Sequence, residues 1–241
     1  MKKQDFKVLK TKDLYPFPDN PFHVAEDETL SELAESIKEF GIVTPIITRP
    51  KEDGDGYEVI AGQRRVRASE LAGINTIPAF VLSLDRDRAI ITLVDSNLQR
   101  ENILPSERAF AYKMKSEAMK RQGFRTDLTS SQVVTKLRTD DKVAQGFGVG
   151  RMTVQRFIRL TELIPPILQM VDEGKIALTP AVELSFLKKD EQENLFATME
   201  SEEATPSLSQ AQRMKSLSQS GRLDMDMIFA IMTEEKGNQK E

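Results

Sequence analysis

The sequence predicts an α+β protein in which a small mixed α/β domain precedes an all-α domain. Helical and extended patterns alternate over the first hundred residues, no convincing strand follows Pro105, and a helix-turn-helix pattern surrounds Gly148. We therefore expect a mixed domain over 1–104, a helical helix-turn-helix domain over 105–200, and a linker with a helical tail over 201–241.

The first domain begins with an amphipathic helix. Thr29 and Glu32 have the spacing of a capping box, and Gly41 is placed to end the helix, which predicts a helix over 29–40. The elements expected after it are a strand over 42–48, a returning strand of the same hairpin over 57–61, a helix over 62–72, an extended segment over 76–82 and a helix over 85–98.

Proline, glycine and capping residues divide the rest of the chain into helices. Pro105 suits the first turn of a helix, and Gly148 separates two short helices, the first beginning at Asp140 or Asp141. Further expected boundaries are Pro165, Pro166 and Gly174, an N-cap at Thr179 before Pro180, a capping pair of Asp190 and Glu193, a linker over 202–207, an amphipathic stretch over 225–232 and a disordered tail from Glu234.

Composition excludes several classes of enzyme. The 241 residues include no cysteine and one histidine, His23, so disulfides, thiolate nucleophiles, cysteine-ligated zinc and two-histidine metal sites are ruled out. A single histidine also leaves little for Ser-His-Asp chemistry. No apolar run reaches the length of a membrane span, and no apolar stretch follows the N-terminus, which predicts a cytoplasmic protein.

Basic side chains are concentrated in the middle of the chain. Residues 1–107 carry 14 basic and 19 acidic side chains, residues 108–160 carry 12 and 4, and residues 161–241 carry 8 and 15, within a formal net charge of −4. A cationic block in an acidic protein is typical of a phosphate-binding surface, because bound cations release the counterions of nucleic acid. A solvated helical face is the alternative.

The predicted helix-turn-helix turns a polar, cationic face outward. The inward residues of its first helix are Val143, Ala144 and Phe147, and those of its second helix are Val154, Phe157, Ile158 and Thr161. Arginine and glutamine can each make paired hydrogen bonds to a base edge in the major groove. The residues expected to contact DNA are Arg151, Met152, Thr153, Gln155, Arg156 and Arg159. An ordinary helical hairpin is the alternative.

A second candidate site lies where the predicted hairpin meets the next helix. Residues 62–65 are Gly-Gln-Arg-Arg, and the free N–H groups of a helix N-terminus beside two guanidinium groups suit a phosphate. The segment lacks the second glycine and the Lys-Ser/Thr pair of a Walker A loop. Surface arginines paired with Glu58 or Glu70 are the alternative. Asn97, in a polar run further on, would be a metal or phosphate partner, or would cap a helix.

Several motifs together, in this order and spacing, resemble the ParB family of partition proteins. They are Asn20-Pro21, the helix over 30–37, the segment 41–46, residues 57–68, residues 71–73, the run 97–101 and the helix that starts at Pro105. The resemblance covers residues 7–190. It implies an N-terminal nucleotide-binding domain, a central helix-turn-helix that reads a short palindromic site, and a C-terminal region used for dimerisation.

In this family CTP with Mg²⁺ occupies the N-terminal domain and drives two subunits to close as a sliding clamp on DNA. The resemblance implies that residues 62–65 hold the triphosphate, that Asn97 lies near the Mg²⁺, and that residues 41–45 lie against the cytosine. The implied nucleotide-binding residues are Gly41, Thr44, Pro45, Gly62, Gln63, Arg64, Arg65, Asn97 and Arg100. Asn97 is also the implied metal ligand.

Two positions depart from the family pattern. Gln63 and Ser96 stand where the family usually has glutamate. An amide and a hydroxyl can form hydrogen bonds, but neither is a useful base at neutral pH. We therefore expect this protein to bind CTP and to hydrolyse it slowly or not at all.

The leading hypothesis is a site-specific DNA-binding partition protein, acting as a CTP-responsive clamp in plasmid, mobile-element or chromosome segregation. A palindromic site requires two helix-turn-helix units, so a homodimer is expected, and a ParA-type ATPase is the implied partner on the nucleoid or plasmid. A transcriptional regulator of the same fold, which binds an operator without spreading, is the alternative. A nucleotidase or nuclease is disfavoured because no cluster of metal-binding acidic residues is evident.

Overall fold

The computed structural model describes residues 4–97, 100, 102–127 and 139–234. The chain divides into two units, Met1–Asn102 with Met114–Thr139 and Ile103–Lys113 with Asp140–Glu241, as far as those ranges are described. Within the described part, no helix is both long and apolar enough to cross a membrane. The tail after Glu234, predicted to be disordered, lies outside the described residues.

Five strands form one mixed sheet in the first unit. They are β1 (Gln4–Lys10), β2 (Leu14–Pro16), β3 (Ile46–Pro50), β4 (Tyr57–Ala61) and β5 (Thr76–Leu82). Their order is β1-β5-β3-β4-β2, with β1/β5 and β3/β4 antiparallel and β5/β3 and β4/β2 parallel. Apolar side chains of these strands, including Ile46, Val59 and Ile77, pack in a common core.

Helices α1 (Glu28–Phe40), α2 (Gln63–Leu71) and α3 (Arg86–Asn97) complete this unit. Leu30, Ala34 and Ile37, spaced for one helical face, pack with Ala68 of α2 in a second cluster. Helix α3 packs against β4. Helix α4 (Pro105–Asp127) contributes residues to both units.

The second unit is entirely helical among its described residues. Its helices are α5 (Thr139–Phe147), α6 (Arg151–Leu160), α7 (Pro165–Asp172), α8 (Leu178–Leu184), α9 (Lys189–Ser201), α10 (Leu208–Gln219) and α11 (Met225–Thr233). The ring of Tyr112 meets the rings of Phe147 and Phe157 edge-on, at centroid distances of 4.3 and 5.7 Å. Helix α8 packs against α10, and α9 packs against α11.

The predicted α+β fold is confirmed, but strands β1 and β2 were not predicted. Phe6 and Val8 of β1 are exposed, and Leu9 is the only buried residue among Asp5–Lys10. An edge strand with one buried side chain shows little of the alternation that identifies strands in a sequence. Strand β2 has three residues, which is too short for such a pattern.

The predicted N-cap of the first helix and the predicted start of the following strand were wrong. Asp27, not Thr29, caps α1: its Oδ1 accepts a hydrogen bond from the Leu30 N–H at 2.9 Å, and the Thr29 hydroxyl donates to the same carboxylate. Strand β3 begins at Ile46 instead of residue 42. The segment between α1 and β3 is a loop that Gly41 opens at φ 72°.

Two later helix starts and one buried face also differ from the prediction. Ala177, not Thr179, precedes α8, and α9 begins after Lys188, whose N–H donates to Glu191. Shifts of one or two residues are typical of helix boundaries. Ile158 was predicted to lie on the buried face of α6, but it is only half-buried. Leu160 is fully buried there instead.

Candidate functional site

Gly62 makes a tight turn between β4 and α2. Its φ of 103° favours glycine, and a Cβ on this residue would lie 2.7 Å from Cγ2 of Ile46. Gly62 has no side chain to cap α2, so the helix presents N–H groups of its first turn without an intrahelical acceptor. The end of β4 therefore forms an open helix N-terminus of the kind that binds anions.

Arg65 joins this turn to the loop that follows α1. Its Nη1 donates to the carbonyl oxygen of Pro45 at 2.8 Å and to that of Thr44. Among the described residues no carboxylate lies within 4.0 Å of this guanidinium, and burial lowers the pKa of Arg65. A partly desolvated cation bound only to neutral oxygens is electrostatically suited to an incoming anion.

The neighbouring arginines of α2 have carboxylate partners. Nη2 of Arg64 donates to Asp27 at 3.2 Å and to the Thr29 hydroxyl, and hydrogen bonds from Thr29 and Arg64 lower the pKa of Asp27. Arg67 pairs with Glu26 at 2.6 Å and with Glu70 at 3.1 Å. All three arginines of one short helix thus have different surroundings.

The glutamates proposed as alternative partners are used by other arginines. Glu58 accepts from Nε of the buried Arg49 at 2.6 Å, and Glu70 accepts from Arg67. Neither glutamate pairs with Arg64 or Arg65 in the described part of the chain. The alternative predicted from the sequence, pairing with Glu58 or Glu70, therefore does not explain either arginine, and Arg64 pairs with Asp27 instead.

Gln63 faces a different side of α2 from Arg65. Its Nε2 donates to the Val59 carbonyl oxygen at 3.3 Å. With Val66, Arg67 and Glu70 it lines a cavity of about 590 Å³, whose other wall is the segment from Leu14 to Glu26. Arg100 lies over the ring of Phe22, which lines the same cavity, at 5.8 Å from the centroid. The expected nucleotide-binding residues therefore fall into two groups.

Asn97 is buried at the end of α3. Its Nδ2 donates to the Leu93 carbonyl oxygen at 2.8 Å, and the Ser96 hydroxyl donates to the same oxygen at 2.8 Å. The amide oxygen is the atom of this side chain that can ligate a metal. Among the described residues, no three histidine or acidic side chains are grouped closely enough to hold a metal ion.

The second site is built by α5, a glycine turn and α6. Gly148 has φ 63°, and the N–H groups of Gly148 and Val149 donate to the carbonyl oxygens of Gln145 and Ala144 at 3.2 and 3.1 Å. Gly150 then precedes α6 without a side-chain cap. The sequence pattern predicted this short connection between the two helices.

Helix α6 buries one face and presents cationic and polar residues on the rest. Val154, Phe157 and Leu160 are buried, and Met152 is 63% exposed. The partly exposed residues of α6 are Arg151, Thr153, Gln155, Arg156, Ile158 and Arg159. Arg151 reaches Asp141 only at 3.9 Å, which is a weak surface ion pair. The N-terminal half of α6 thus offers Arg151 and Met152 to a partner.

Two partners of the α6 arginines were not predicted. Nη2 of Arg156 donates to the Thr179 hydroxyl at 2.7 Å. Arg159 donates from Nε to Ser185 Oγ at 3.1 Å and from Nη2 to the Ser185 carbonyl oxygen at 2.7 Å. Both acceptors are on or directly after α8. A sequence pattern places residues on one helix face but does not reveal which neighbouring helix that face meets.

The chain matches sequence models of two domains. Residues 1–98 match the ParB N-terminal domain, and residues 129–218 match the ParB HTH domain. A probable chromosome 1-partitioning protein ParB of Deinococcus radiodurans is 40% identical over 162 residues, which are 67% of this chain and 49% of that protein. The chromosome-partitioning protein Spo0J of Thermus thermophilus is 36% identical over 73% of this chain and 58% of its own length. The chain thus spans about half the length of these curated relatives.

Solved structures share the fold. The C-terminally truncated ParB of Caulobacter crescentus, complexed to the centromeric parS site, superposes with a TM-score of 0.50 at 23% identity, over 89% of this chain and 99% of that one. A Pnob8-like ParB-N domain superposes with a TM-score of 0.52 at 12% identity, over 96% and 98% of the two chains. At these identities the similarity concerns architecture alone.

Proposed function

This chain belongs to the ParB family, and on that basis we propose that it is a site-specific DNA-binding partition protein whose N-terminal unit binds CTP. Relatives at 40% and 36% identity are described as chromosome-partitioning proteins. The observation that carries the proposal is the α5–turn–α6 arrangement, because it presents a helix with three arginines and no acidic residue beside a tight glycine turn.

DNA recognition is assigned to the exposed side of α6. Arg151 and Met152 open the helix, and Gln155 follows one turn later. Thr153 and Arg156 complete the set, and Arg156 is oriented by Thr179. A helix N-terminus in the major groove can read bases with arginine and glutamine while other cations contact phosphates.

The nucleotide triphosphate is assigned to the N-terminus of α2. The tight turn at Gly62, the N–H groups after it and the partly buried Arg65 suit an anion, and Arg65 also binds the loop over 41–45 to which family resemblance assigns the cytosine. A ligand placed there would contact the loop after α1 and the start of α2 together. Arg64 would have to share its guanidinium between the phosphates and Asp27.

Mg²⁺ is proposed from family resemblance. It would neutralise charge on the triphosphate, and the Asn97 amide oxygen is the proposed protein ligand. Hydrolysis is expected to be slow. The Gln63 amide donates to Val59 and the Ser96 hydroxyl to Leu93, and neither group can act as a base. Little phosphate release in the presence of CTP, Mg²⁺ and DNA is the expected result.

The test is a pair of titrations with the purified chain. One probe is the duplex that the chain itself enriches from a randomised pool, with an unselected duplex of equal length as the control, and the other probe is CTP with Mg²⁺. We expect the enriched duplex to bind roughly a thousandfold more tightly than the control. Failure to enrich any duplex, together with no CTP binding at low salt, would contradict the proposal.

Spreading distinguishes a partition clamp from a local regulator. On a long duplex with blocked ends and one enriched site, a clamp should accumulate on flanking DNA only when CTP is present. A protein that protects the enriched site alone, with or without CTP, would be an operator-binding regulator. The complex of the protein with the enriched duplex should contain two chains for each palindromic site.

We also propose that the partner of this protein is a ParA-type ATPase and that the protein acts on the nucleoid or on a plasmid.

A further inference from the structure

Phe186, two residues after the end of α8, is close to two cations. The residue is 38% exposed, the Arg159 guanidinium carbon lies 4.1 Å from the ring centroid, and Nζ of Lys215 lies 3.8 Å from it. Both distances are within the range of cation–π attraction. Because Arg159 belongs to α6 and Lys215 to α10, this ring connects both helices to the end of α8.

Two N–H donors of Arg159 are bound within the unit. Nε and Nη2 donate to the hydroxyl and the carbonyl oxygen of Ser185. Ser185 is 1% exposed, follows the last residue of α8, and donates its own hydroxyl to Val182 at 2.7 Å. The carbonyl groups at a helix C-terminus lack intrahelical donors and carry partial negative charge, so a guanidinium is well placed there.

The other cation is also restrained. Lys215 donates to Glu183 of α8 at 2.7 Å, and both side chains are mostly buried. Helices α8 and α10 pack against each other, as do α6 and α8. Arg159, Ser185, Phe186 and Lys215, which we call the α8 clasp, therefore join three helices at one point.

We propose that Arg159 is a positioning residue that holds the C-terminal end of α6 in the α8 clasp, and that it is not a contact to a DNA phosphate. This inference rests on the proposed function of α6 and replaces the DNA contact expected for Arg159 from the sequence. Arg151 differs, since its ion pair with Asp141 is 3.9 Å long. Small changes in the tilt of α6 would displace the base-reading residues, because such contacts require accurate placement.

The test compares charge-retaining and charge-removing variants at two positions of α6. Binding of the enriched duplex is measured against salt concentration for Arg159→Lys and Arg159→Ala, with Arg151→Lys and Arg151→Ala as matched controls. Both Arg159 variants should weaken binding by roughly tenfold, because an ammonium cannot reproduce the paired hydrogen bonds to Ser185. The salt slope, which is the change of log affinity with log salt concentration, should stay the same in both, since no phosphate contact is lost. Arg151→Ala should lower the slope by about one, and Arg151→Lys should largely restore it.

Phe186→Leu provides a variant that leaves every charge in place. It should lower the affinity for the enriched duplex but leave the salt slope and the affinity for the unselected duplex unchanged. Its effect on affinity should not add to that of Arg159→Ala, because both variants disrupt the same cluster. Restored binding by Arg159→Lys, with a slope lowered by about one in Arg159→Ala, would show a phosphate contact and overturn the inference. A wild-type chain that enriches no duplex would instead overturn the proposed function, and this inference with it.

Discussion

The three arginines of α2 have different partners, and these partners determine which arginine is available to an anion. Arg64 bonds to the cap of α1, Arg65 to two carbonyl oxygens, and Arg67 to two glutamates. In the sequence they are equivalent cations within four positions. Of these three arginines only Arg65 combines burial with neutral partners, so among them it is the residue at which an anion would gain most.

Gly62→Ala should destabilise the first unit. The substitution would place a Cβ 2.7 Å from Cγ2 of Ile46 and force an L-residue to φ 103°. Strain and overpacking together should lower the free energy of unfolding by about 2 kcal/mol. Urea unfolding, monitored by circular dichroism, measures the loss.

Gly54→Ala is the matched control for that experiment. Gly54 also has a positive φ, of 90°, but a Cβ there would meet no atom within 4 Å. This variant should lose about 1 kcal/mol, from backbone strain alone. Equal losses for the two glycines would show that the close approach of Ile46 contributes nothing.

At the scale of elements, a buried ion pair connects β3 and β4. Arg49 is 1% exposed, donates to Glu58 at 2.6 Å and to Glu52 at 2.8 Å, and lies 5.2 Å from the centroid of Phe17. Burial lowers the pKa of Arg49, but the hydrogen bonds to Glu52 and Glu58 outweigh it and leave the pKa raised. The pair lies on the hairpin that leads to the turn at Gly62.

Glu58→Gln should cost far more stability than Glu52→Gln. The two carboxylates contact the same guanidinium, but the Glu58 side chain is 8% exposed and the Glu52 side chain 54%. Removing the charge of Glu58 leaves the buried guanidinium with the half-exposed Glu52 as its remaining carboxylate, which should cost about 3 kcal/mol. Losing the exposed Glu52 should cost less than about 1 kcal/mol. Denaturant unfolding of both variants checks this difference, and a larger loss for Glu52→Gln would contradict it.

Helix starts show why short sequence motifs mislead. Thr29 and Glu32 have the capping-box spacing, yet Asp27 caps α1 and Thr29 donates to that carboxylate. Both residue types favour N-caps, and both side chains also accept a hydrogen bond from Arg64, a residue 37 positions away from Asp27. Local propensity therefore identified the helix but not its first residue.

At the scale of the whole molecule, the two proposed activities lie in different units. The turn at Gly62 belongs to the first unit and α6 to the second. Arg65→Ala should abolish CTP binding and leave binding of a short enriched duplex unchanged. Calorimetric titration with CTP and anisotropy with the duplex measure the two activities separately.

Arg67→Ala controls for the loss of one positive charge on α2. Arg67 is paired with Glu26 and Glu70 and lies away from the open helix N-terminus, so this variant should retain both activities. If Arg65→Ala lost both activities, the division of function between the units would be wrong. If Arg67→Ala also lost CTP binding, the triphosphate would occupy the Gln63 side of α2 instead.

Most of the fold followed from periodicity and from glycine and proline. The hairpin of β3 and β4 was predicted, although β3 begins at Ile46 instead of residue 42. Helix α2, strand β5, helix α3 and the glycine-separated pair α5 and α6 occur where local patterns predicted them. The candidate site was less predictable. Residues 62–65 stood out as a group, but Gln63 and Arg65 face different sides of α2.

The amino-acid sequence by itself determined the two-part α+β architecture, the family and the cationic helix-turn-helix, because these depend on period, spacing and local charge. Only the tertiary structure decided that Arg65 is the arginine available to a ligand and that Arg159 holds α6 against the end of α8. Arg65 lacks a carboxylate in the described part of the chain, and Arg159 is bound to the end of α8. Such choices depend on contacts between residues distant in sequence, where desolvation and pairing outweigh any property of the residue itself.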